Sequence, residues 1–245
     1  MSSVLLTGGS GKLGTAIIRS GLFQNILSPS SKELNICSVE SIGNYFNQYD
    51  FDVIIHTAAM ARIALGEKNP VEAIEKNIVG TSNLVMAVLN ERTKKSIRFV
   101  HISTDGVYPG KTGNYTEEGV VLPYSNYGWT KLGAECAVNL LDNFCIIRTR
   151  FFEPGNIPFD TSASDSYTSR LPLDVLLKYI HALTQSTYVG TVNVGEERVS
   201  DYESNKKYKY SVKPCSREEI AATVPFYVPF DVSMNTDKLK KLLNL

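Results

Sequence analysis

The sequence predicts an α/β protein with a doubly wound parallel sheet over residues 1–150 and a smaller region over residues 151–245. Three observations predict this class. Short apolar runs alternate along the chain with stretches whose apolar residues recur at helical intervals. Several of the runs are almost entirely apolar, as strands buried on both faces of a parallel sheet are. A cluster of glycines joins the first run to the first helical stretch.

The elements follow in order along the chain. Strands are predicted at "SVLLT", "NILS", "DVIIHTAA", "IRFVHIST", "FCIIRTR" and "GTVNVG", and helices at "KLGTAIIRSGL", "VESIGNYFNQY", "NPVEAIEKNIVGTSNLVMAVLNER", "NYGWTKLGAECAVNLL" and "PLDVLLKYIHALTQ". The longest helix begins near Pro70, whose missing N–H costs little in a first turn. After residue 150 the segment "PGNIPFDTSASDSYTSR" is polar and rich in serine, which predicts a loop-rich region over the sheet.

Composition excludes several classes of protein. Of the 245 residues, 43% are hydrophobic and 20% are charged, as in a globular chain. Lys plus Arg and Asp plus Glu both number 25, so charge predicts no nucleic-acid partner. The cysteines are scattered, which predicts neither a metal site nor disulfides and favours the cytoplasm. No segment has the pattern of a membrane span or a signal peptide.

The first glycine cluster predicts a phosphate site. Gly8, Gly11 and Gly14 follow a strand and open a helix, in the order that the Rossmann-type sheet uses for a dinucleotide. Backbone N–H groups and the positive end of the helix then face one spot, with no side chain to block a pyrophosphate. A plain turn is the alternative.

Two further groups of polar residues point to acid–base chemistry. Tyr127 and Lys131 are four residues apart on a predicted helix, so they share one face. An ammonium beside the phenol is expected to lower the Tyr127 pKa and make it a usable proton donor. Ser103, Thr104 and Asp105 end an apolar strand, at the edge of the sheet where ligands bind.

Together these motifs resemble the extended short-chain dehydrogenase/reductase family, in which T-G-x-x-G-x-x-G begins the chain and Y-x-x-x-K is the catalytic pair. The resemblance extends to "DVIIHTAA", "NIVGTSNL" and "IIRT". Within the family, "ELNI", "STDGVYPGKTGNYTEEGVVLPYSNYGWTKLGAE" and "PFDVSMNTDKLKKLL" are similar to the dTDP-4-dehydrorhamnose reductase branch.

The resemblance implies a role for each matching residue. Tyr127 would protonate the ketone oxygen as hydride arrives, Lys131 would hold the nicotinamide ribose and tune Tyr127, and Thr104 would hydrogen-bond the carbonyl. The pyrophosphate would be bordered by Gly8, Gly11, Lys12, Leu13 and Gly14, the adenine by Asn35 and Ile36, and the path from adenosine to nicotinamide by Ala58, Ala59 and Met60. Residues 1–150 would thus bind the dinucleotide, and the smaller region 151–245, interleaved with them, would bind the substrate.

The end of the second strand bears on which nicotinamide cofactor is used. An acidic residue there would accept from the ribose 2′-OH of NADH and repel the 2′-phosphate of NADPH. Here Ser28, Ser30, Ser31 and Lys32 offer hydroxyls and a cation, with no acid before Glu33. We therefore predict that NADPH is preferred over NADH.

The resemblance implies reduction of a nucleotide-linked 4-keto-6-deoxyhexose, in deoxysugar or polysaccharide biosynthesis. The expected partner is a nucleotide sugar, with a homodimer and neither nucleic acid nor membrane; which sugar and which nucleotide stay open. Two alternatives are an NAD-dependent sugar-nucleotide epimerase or dehydratase, and a non-catalytic regulatory subunit. A single acid, Asp105, followed by Gly106 argues against dehydration, and retention of Thr104, Tyr127 and Lys131 argues against the regulatory subunit.

Some positions depart from the branch or keep two interpretations. Met60 and "FFEPGNIPFD" differ from the branch's pattern on the side of the substrate. His56 and His101 lie within apolar strands, where core histidines with satisfied hydrogen bonds are commoner than catalytic ones. Arg148 and Arg150 end a strand, where either a phosphate contact or a structural salt bridge is expected.

Overall fold

The structure is a computed structural model that describes residues 3–91 and 95–245. Its strands are β1 (Val4–Thr7), β2 (Ile26–Leu27), β3 (Val53–His56), β4 (Arg98–Thr104), β5 (Phe144–Thr149), β6 (Phe151–Phe152), β7 (Thr161–Ala163), β8 (Tyr167–Thr168), β9 (Leu171–Pro172), β10 (Gly190–Val194), β11 (Val199–Ser200) and β12 (Lys213–Cys215). Its α-helices are α1 (Lys12–Ser20), α2 (Val39–Gln48), α3 (Ile63–Lys68), α4 (Pro70–Ala73), α5 (Gly80–Glu91), α6 (Asn126–Val138), α7 (Leu173–Gln185), α8 (Asp201–Lys206), α9 (Arg217–Ala221) and α10 (Asp237–Leu243).

Six of the strands form the central sheet, in the order β10-β5-β4-β3-β1-β2. Every neighbouring pair in it is parallel. The predicted doubly wound parallel sheet is therefore confirmed. β2 is added on one side of β1 and β3 on the other, so the order of the strands reverses at β1. A crevice for ligands is therefore expected beyond the carboxyl ends of β1 and β3.

Two apolar layers cover the sheet, because successive side chains of each strand point to opposite faces. Leu6 and Ile55 pack in the layer that contains α1 and α7. Their neighbours Leu5 and Ile54 pack in the layer that contains α2, α5 and α6. All four are fully buried, and truncating such a side chain to Ala typically costs about 2–5 kcal/mol.

The long helix predicted from residue 69 is interrupted. A π-helical segment, Ile74–Val79, lies between α4 and α5. The predicted last residue of the helix, Arg92, lies outside the described residues. A Cβ on Gly80 would lie 2.8 Å from the Ile36 side chain, so glycine lets the helix approach the loop that follows β2. The sequence period alone does not indicate the π turn.

Residues after 150 contribute to the sheet as well as to loops. Helix α7 packs on the sheet, and β10 pairs with β5, as the patterns "PLDVLLKYIHALTQ" and "GTVNVG" predict for a helix and a strand. The remaining short strands pair as β6 with β9, β7 with β12 and β8 with β11. Helix α3, which the sequence analysis missed, packs against α6. Each helix in the described ranges is too short or too polar to cross a bilayer.

Candidate active site

A cavity of about 830 Å³ opens over the carboxyl ends of β1, β3, β4 and β5. A second cavity of about 270 Å³ shares part of its wall, towards the loop after β2. Residues predicted from the sequence that line the larger cavity are Gly8, Gly11, Lys12, Leu13, Gly14, Ala59, Met60, Thr104, Tyr127 and Lys131. Those that line the smaller one are Gly8, Gly11, Ser31, Asn35, Ile36, Ala58 and Ala59. Ser28, Ser30 and Lys32 line neither cavity.

The glycine turn between β1 and α1 is held close to neighbouring backbone. Gly8 has a φ of 78°, and a Cβ there would lie 2.5 Å from the backbone nitrogen of Ala58. A Cβ on Gly14 would lie 2.2 Å from the carbonyl oxygen of Gly8. No side chain caps the start of α1 at Gly11. The first N–H groups of α1 are therefore not bound by a capping side chain, and Gly11, Lys12 and Leu13 line the cavity, as a pyrophosphate site requires.

Asn77, which the sequence analysis quoted only within a motif, fixes the loop after β3. Its Oδ1 accepts the backbone N–H of Met60 at 2.7 Å, and its Nδ2 donates to the Met60 carbonyl at 3.2 Å and to Thr130 Oγ1 at 2.8 Å. Asn77 is 1% exposed and belongs to the π-helical segment, a feature that often marks functional sites. In the sequence, Asn77 follows Ala73 and precedes Thr81 and Leu84 at helical intervals, and an Asn on that buried face is the signal that indicates such an anchor.

The loop after β2 brings an acid closer to the serines than the sequence order indicates. Glu33 Oε2 accepts from the backbone N–H and from Oγ of Ser30, both at 2.8 Å. These two bonds lower the Glu33 pKa below its usual value. Ser28 packs on the glycine turn, since a Cβ on Gly9 would meet its Oγ. Ser31 is therefore the predicted serine that faces the cavity wall.

Thr104, at the end of β4, lies in a short chain of hydrogen bonds. Its Oγ1 accepts the backbone N–H of Gly106 at 3.0 Å and lies 3.1 Å from Asp105 Oδ1, to which it donates. Asp105 is 4% exposed, and its other oxygen, Oδ2, has no hydrogen-bond partner among the described residues. Burial raises the Asp105 pKa, which the nearby Arg150 partly opposes.

Helix α6 carries Tyr127 and Lys131 into the same cavity. The helix is capped by Ser125, whose side chain accepts the N–H of Gly128, and Glu67 of α3 accepts from the backbone N–H of Asn126 at 2.8 Å. A Cβ on Gly128 would lie 2.3 Å from the carbonyl oxygen of Gly106, so the small residue lets α6 approach the end of β4.

The predicted lowering of the Tyr127 pKa is wrong for this structure. Burial raises it, the Asp105 charge adds to the rise, and a hydrogen bond with Thr104 opposes them. Lys131 Nζ instead contacts His101 Nε2, at 3.1 Å. Burial lowers the Lys131 pKa to about 8. The structure therefore brings Thr104 to the Tyr127 phenol and turns the Lys131 ammonium towards β4.

The two strand histidines differ from one another. His56 is a satisfied core histidine, as predicted, because its Nδ1 lies 2.6 Å from Thr7 Oγ1 and its Nε2 lies 2.9 Å from Thr81 Oγ1. His101 has its Nε2 on Lys131, and its Nδ1 has no partner in the described part of the chain. His101 therefore contacts a residue that lines the cavity.

The two arginines also have different surroundings. Arg148 forms a buried bidentate salt bridge with Glu135, with Nη2 and Oε2 2.7 Å apart. It is thus the structural salt bridge that was one of the two expectations. Arg150 lines the cavity, and its side chain is 40% exposed. Its Nη1 lies 3.8 Å from Asp105 Oδ2.

The parallel sheet, the glycine turn at its switch point and the cavity over its carboxyl edge define an α/β protein of the Rossmann type. A family profile described as RmlD substrate binding domain matches residues 1–153. The chain belongs to this family.

Curated proteins of similar sequence carry several names. A dTDP-glucose 4,6-dehydratase of Escherichia coli is 30% identical, over 54% of this chain and 48% of its own. The spore coat polysaccharide biosynthesis protein SpsK of Bacillus subtilis is 32% identical, over 61% and 53%. Methionine adenosyltransferase 2 subunit beta of Rattus norvegicus is 30% identical, over 55% and 42%. The chain spans about half the length of these relatives.

Solved structures match over nearly the whole chain. The dTDP-4-dehydrorhamnose reductase of Bacillus anthracis, in complex with NADP, has a TM-score of 0.86 at 24% identity, covering 99% of this chain and 92% of its own. A hypothetical dTDP-4-dehydrorhamnose reductase of Sulfolobus tokodaii has a TM-score of 0.79 at 26% identity, covering 98% and 94%. These likenesses establish the fold.

Proposed function

We propose that this protein reduces the 4-keto group of a nucleotide-linked 6-deoxyhexose with a nicotinamide cofactor. One observation carries the proposal: Thr104, Tyr127 and Lys131 line the same cavity as the glycine turn after β1. A proton donor and a dinucleotide cradle in one cavity suit hydride transfer to a carbonyl. The family and the reductase named in the Bacillus anthracis match support the same class of reaction.

The residues around the two cavities fit NADPH or NADH. A Cβ on Gly8 or Gly14 would overlap backbone, so the turn keeps the close packing that a pyrophosphate site at a helix start needs. Asn35 and Ile36 would face the adenine, and Ala59 and Met60 the path to the nicotinamide. When bound, the cofactor supplies hydride.

The chain's own residues would supply position and a proton. Tyr127 would give its phenolic proton to the ketone oxygen as the oxygen becomes negative. Its raised pKa keeps the phenol protonated at neutral pH, so the proton is available. Lys131 would donate to the ribose hydroxyls and favour the phenolate that forms. Thr104 would hydrogen-bond the carbonyl, which requires its hydroxyl to turn from Asp105.

The substrate would lie on the side of the cavity formed by Asp105, Tyr124 and Arg150. Arg150 offers exposed donors there, and Asp105 Oδ2 is a buried acceptor behind it without a hydrogen-bond partner among the described residues. This combination suits a sugar with hydroxyl groups. The sugar and the nucleotide stay unassigned.

The decisive experiment measures NADPH oxidation with a dTDP-4-keto-6-deoxysugar beside NADPH titrations. Tyr127→Phe is expected to lower kcat about 10²–10⁴-fold while cofactor affinity barely changes, because only the hydroxyl is removed. Tyr210→Phe is the matched control, since Tyr210 is 89% exposed and lies outside both cavities. Lys131→Ala should weaken both cofactor binding and turnover, and Thr104→Val should lower kcat alone.

Other outcomes favour the alternatives. If the wild type binds NADPH but oxidises none with any nucleotide ketosugar, and Tyr127→Phe behaves identically, the regulatory subunit replaces the reductase. Without net cofactor oxidation, conversion of a dTDP-hexose into its epimer would favour the epimerase, and release of a 4-keto-6-deoxysugar would favour the dehydratase.

We further propose a homodimer. Exposed apolar side chains lie on the adjacent helices α4 to α6, with Val71 69%, Met86 49% and Trp129 50% exposed. A second copy of the chain would cover such side chains, as dimer contacts do. Light scattering after gel filtration should report twice the chain mass, and Trp129→Glu should halve it; a monomeric wild type contradicts the dimer. A cytoplasmic setting stays a prediction, with which the four free cysteines agree.

A further inference from the structure

The hydrogen-bond partner of Lys131 lies on the neighbouring strand β4 and carries no formal charge. Lys131 is 2% exposed and His101 is fully buried. Lys131 Nζ and His101 Nε2 are 3.1 Å apart. An ammonium can only donate, so Nε2 is the acceptor while Lys131 is charged. His101 is then neutral, with its proton on Nδ1.

A second neutral histidine holds the His101 ring. The rings of His56 and His101 are stacked, with centroids 5.3 Å apart and an angle of 29° between their planes. Thr81 Oγ1 donates to the carbonyl oxygen of Asn77 at 2.7 Å, so it accepts from His56 Nε2. His56 Nδ1 then accepts from Thr7 Oγ1. Burial lowers the His56 pKa to about 3, which keeps this ring uncharged.

His101 is less well satisfied than a purely structural histidine. Its Nδ1 has no hydrogen-bond partner within the described ranges. A buried N–H without a partner lowers stability, because the group gives up its bond to water and gains none. The stacked His56 bears no such cost. The hydrogen bond that Nε2 accepts from Lys131 explains the presence of a histidine here, whereas packing alone does not.

The titratable groups that face Lys131 come from three elements. On α6, Tyr127 lies one turn before Lys131 and lines the same cavity, and Glu135 lies one turn after it. His101 lies on β4, and His56 lies on β3 behind His101. Burial lowers the Lys131 pKa to about 8, and the Glu135 charge opposes that fall. His101 is the one of these four that accepts a hydrogen bond from Nζ.

We propose that His101 is a positioning residue, whose Nε2 holds the Lys131 ammonium in the site and keeps it charged through neutral pH. The proposal rests on the proposed function, in which that ammonium contacts the cofactor ribose. A neutral acceptor suits the role. A carboxylate in its place would bind the ammonium more strongly and compete with the ribose hydroxyls.

The test is the pH dependence of NADPH affinity, measured by fluorescence titration without any sugar. In the wild type, affinity should fall above about pH 8, where Lys131 loses its proton. His101→Phe keeps the stacked ring but removes the acceptor, so this fall should move about one to two pH units lower, which is what losing a hydrogen bond to a charged group predicts. His101→Gln places an amide oxygen near the position of Nε2 and should restore most of the shift.

The matched control is His56→Phe, which disturbs the same stack without touching Lys131. It should lower the melting temperature and leave the pH of the fall unmoved. The proposal is overturned if folded His101→Phe shows the wild-type pH dependence, or if His56→Phe shifts it equally.

Because a variant in the sheet can fail to fold, histidine ring ¹⁵N spectra of the wild type give a second test. The chain has 3 histidines, so assignment is practical. His101 should carry its proton on Nδ1 and His56 on Nε2 at neutral pH. Lys131→Met should shift the His101 signals and spare those of His56. A proton on Nε2 of His101 overturns the proposal. These spectra need no cofactor, so a chain that fails to bind NADPH contradicts the proposed function without deciding this test.

Discussion

The Arg150 guanidinium lies 3.8 Å from Asp105 Oδ2, too far for a hydrogen bond between them. The pair borders the cavity that contains Tyr127. Thr149 lines the same cavity, and its Oγ1 and Asp105 Oδ2 are buried oxygens without a hydrogen-bond partner in the described residues. The Arg150 guanidinium, whose side chain is 40% exposed, is therefore available to a polyhydroxylated ligand.

Arg150→Gln is expected to raise the KM for the nucleotide ketosugar at least about tenfold, since a hydrogen bond from a charged donor contributes about 1.5–3 kcal/mol. The NADPH dissociation constant should not change. Steady-state kinetics with a fixed cofactor concentration measure the effect, and Arg198→Gln, on an arginine that lines neither cavity, is the control. An unchanged KM would place the sugar elsewhere.

Cofactor choice is expected to respond to the loop after β2. Lys32 is exposed and has no salt-bridge partner in the part of the chain described, so it is available to a 2′-phosphate. Lys32→Ala should weaken NADPH about two- to fivefold, as loss of an exposed ion pair does, and leave NADH unchanged. Glu33→Gln should favour NADPH, because it removes a carboxylate beside Ser30. Equal dissociation constants for both cofactors in the wild type would contradict the predicted preference.

Lys131 should make stability depend on pH in a defined direction. Its pKa is about 8 in the folded chain against an ordinary 10.5, because of burial. Below pH 8 Lys131 is charged in both states and the full cost of burying the charge is present. Between these two pKa values the unfolded chain binds more protons, so stability rises with pH.

Lys131→Met removes that charge. The variant's free energy of unfolding minus that of the wild type should be larger at neutral pH than at pH 10. This difference should change by about 3 kcal/mol at most over that range. Urea unfolding at several pH values measures it. A difference that stays constant with pH would mean that Lys131 titrates normally.

The buried pair of Glu135 and Arg148 should matter for stability. Their side chains are 2% and 6% exposed. Glu135→Gln leaves a buried guanidinium without its counter-charge, which typically costs about 3–5 kcal/mol. The exposed pair of Lys76 and Glu72 offers a control, since Glu72→Gln should cost less than about 1 kcal/mol. Equal effects in urea unfolding would contradict this difference.

Local pattern was sufficient for most of the architecture. Apolar runs of four to seven residues became the inner strands of the sheet, and helical spacing predicted α1, α2, α6 and α7. These signals are local because each element buries one face or both. The π turn and helix α3 escaped prediction. The π turn contains Asn77, which bonds to a loop from another part of the chain. Helix α3 has only six residues and packs against α6.

The sequence by itself determined the doubly wound sheet, the glycine turn and the spacing that carries Tyr127 and Lys131 on one helix. Tertiary structure decided what those side chains meet. Arg148 lies within β5 and pairs with Glu135, whereas Arg150 lies past the end of the strand and borders the cavity. Lys131 meets His101 because α6 packs over β4, although 30 residues separate them. Periodicity reports which face of an element is buried, but partners across the core depend on how the elements pack, which no single stretch of sequence contains.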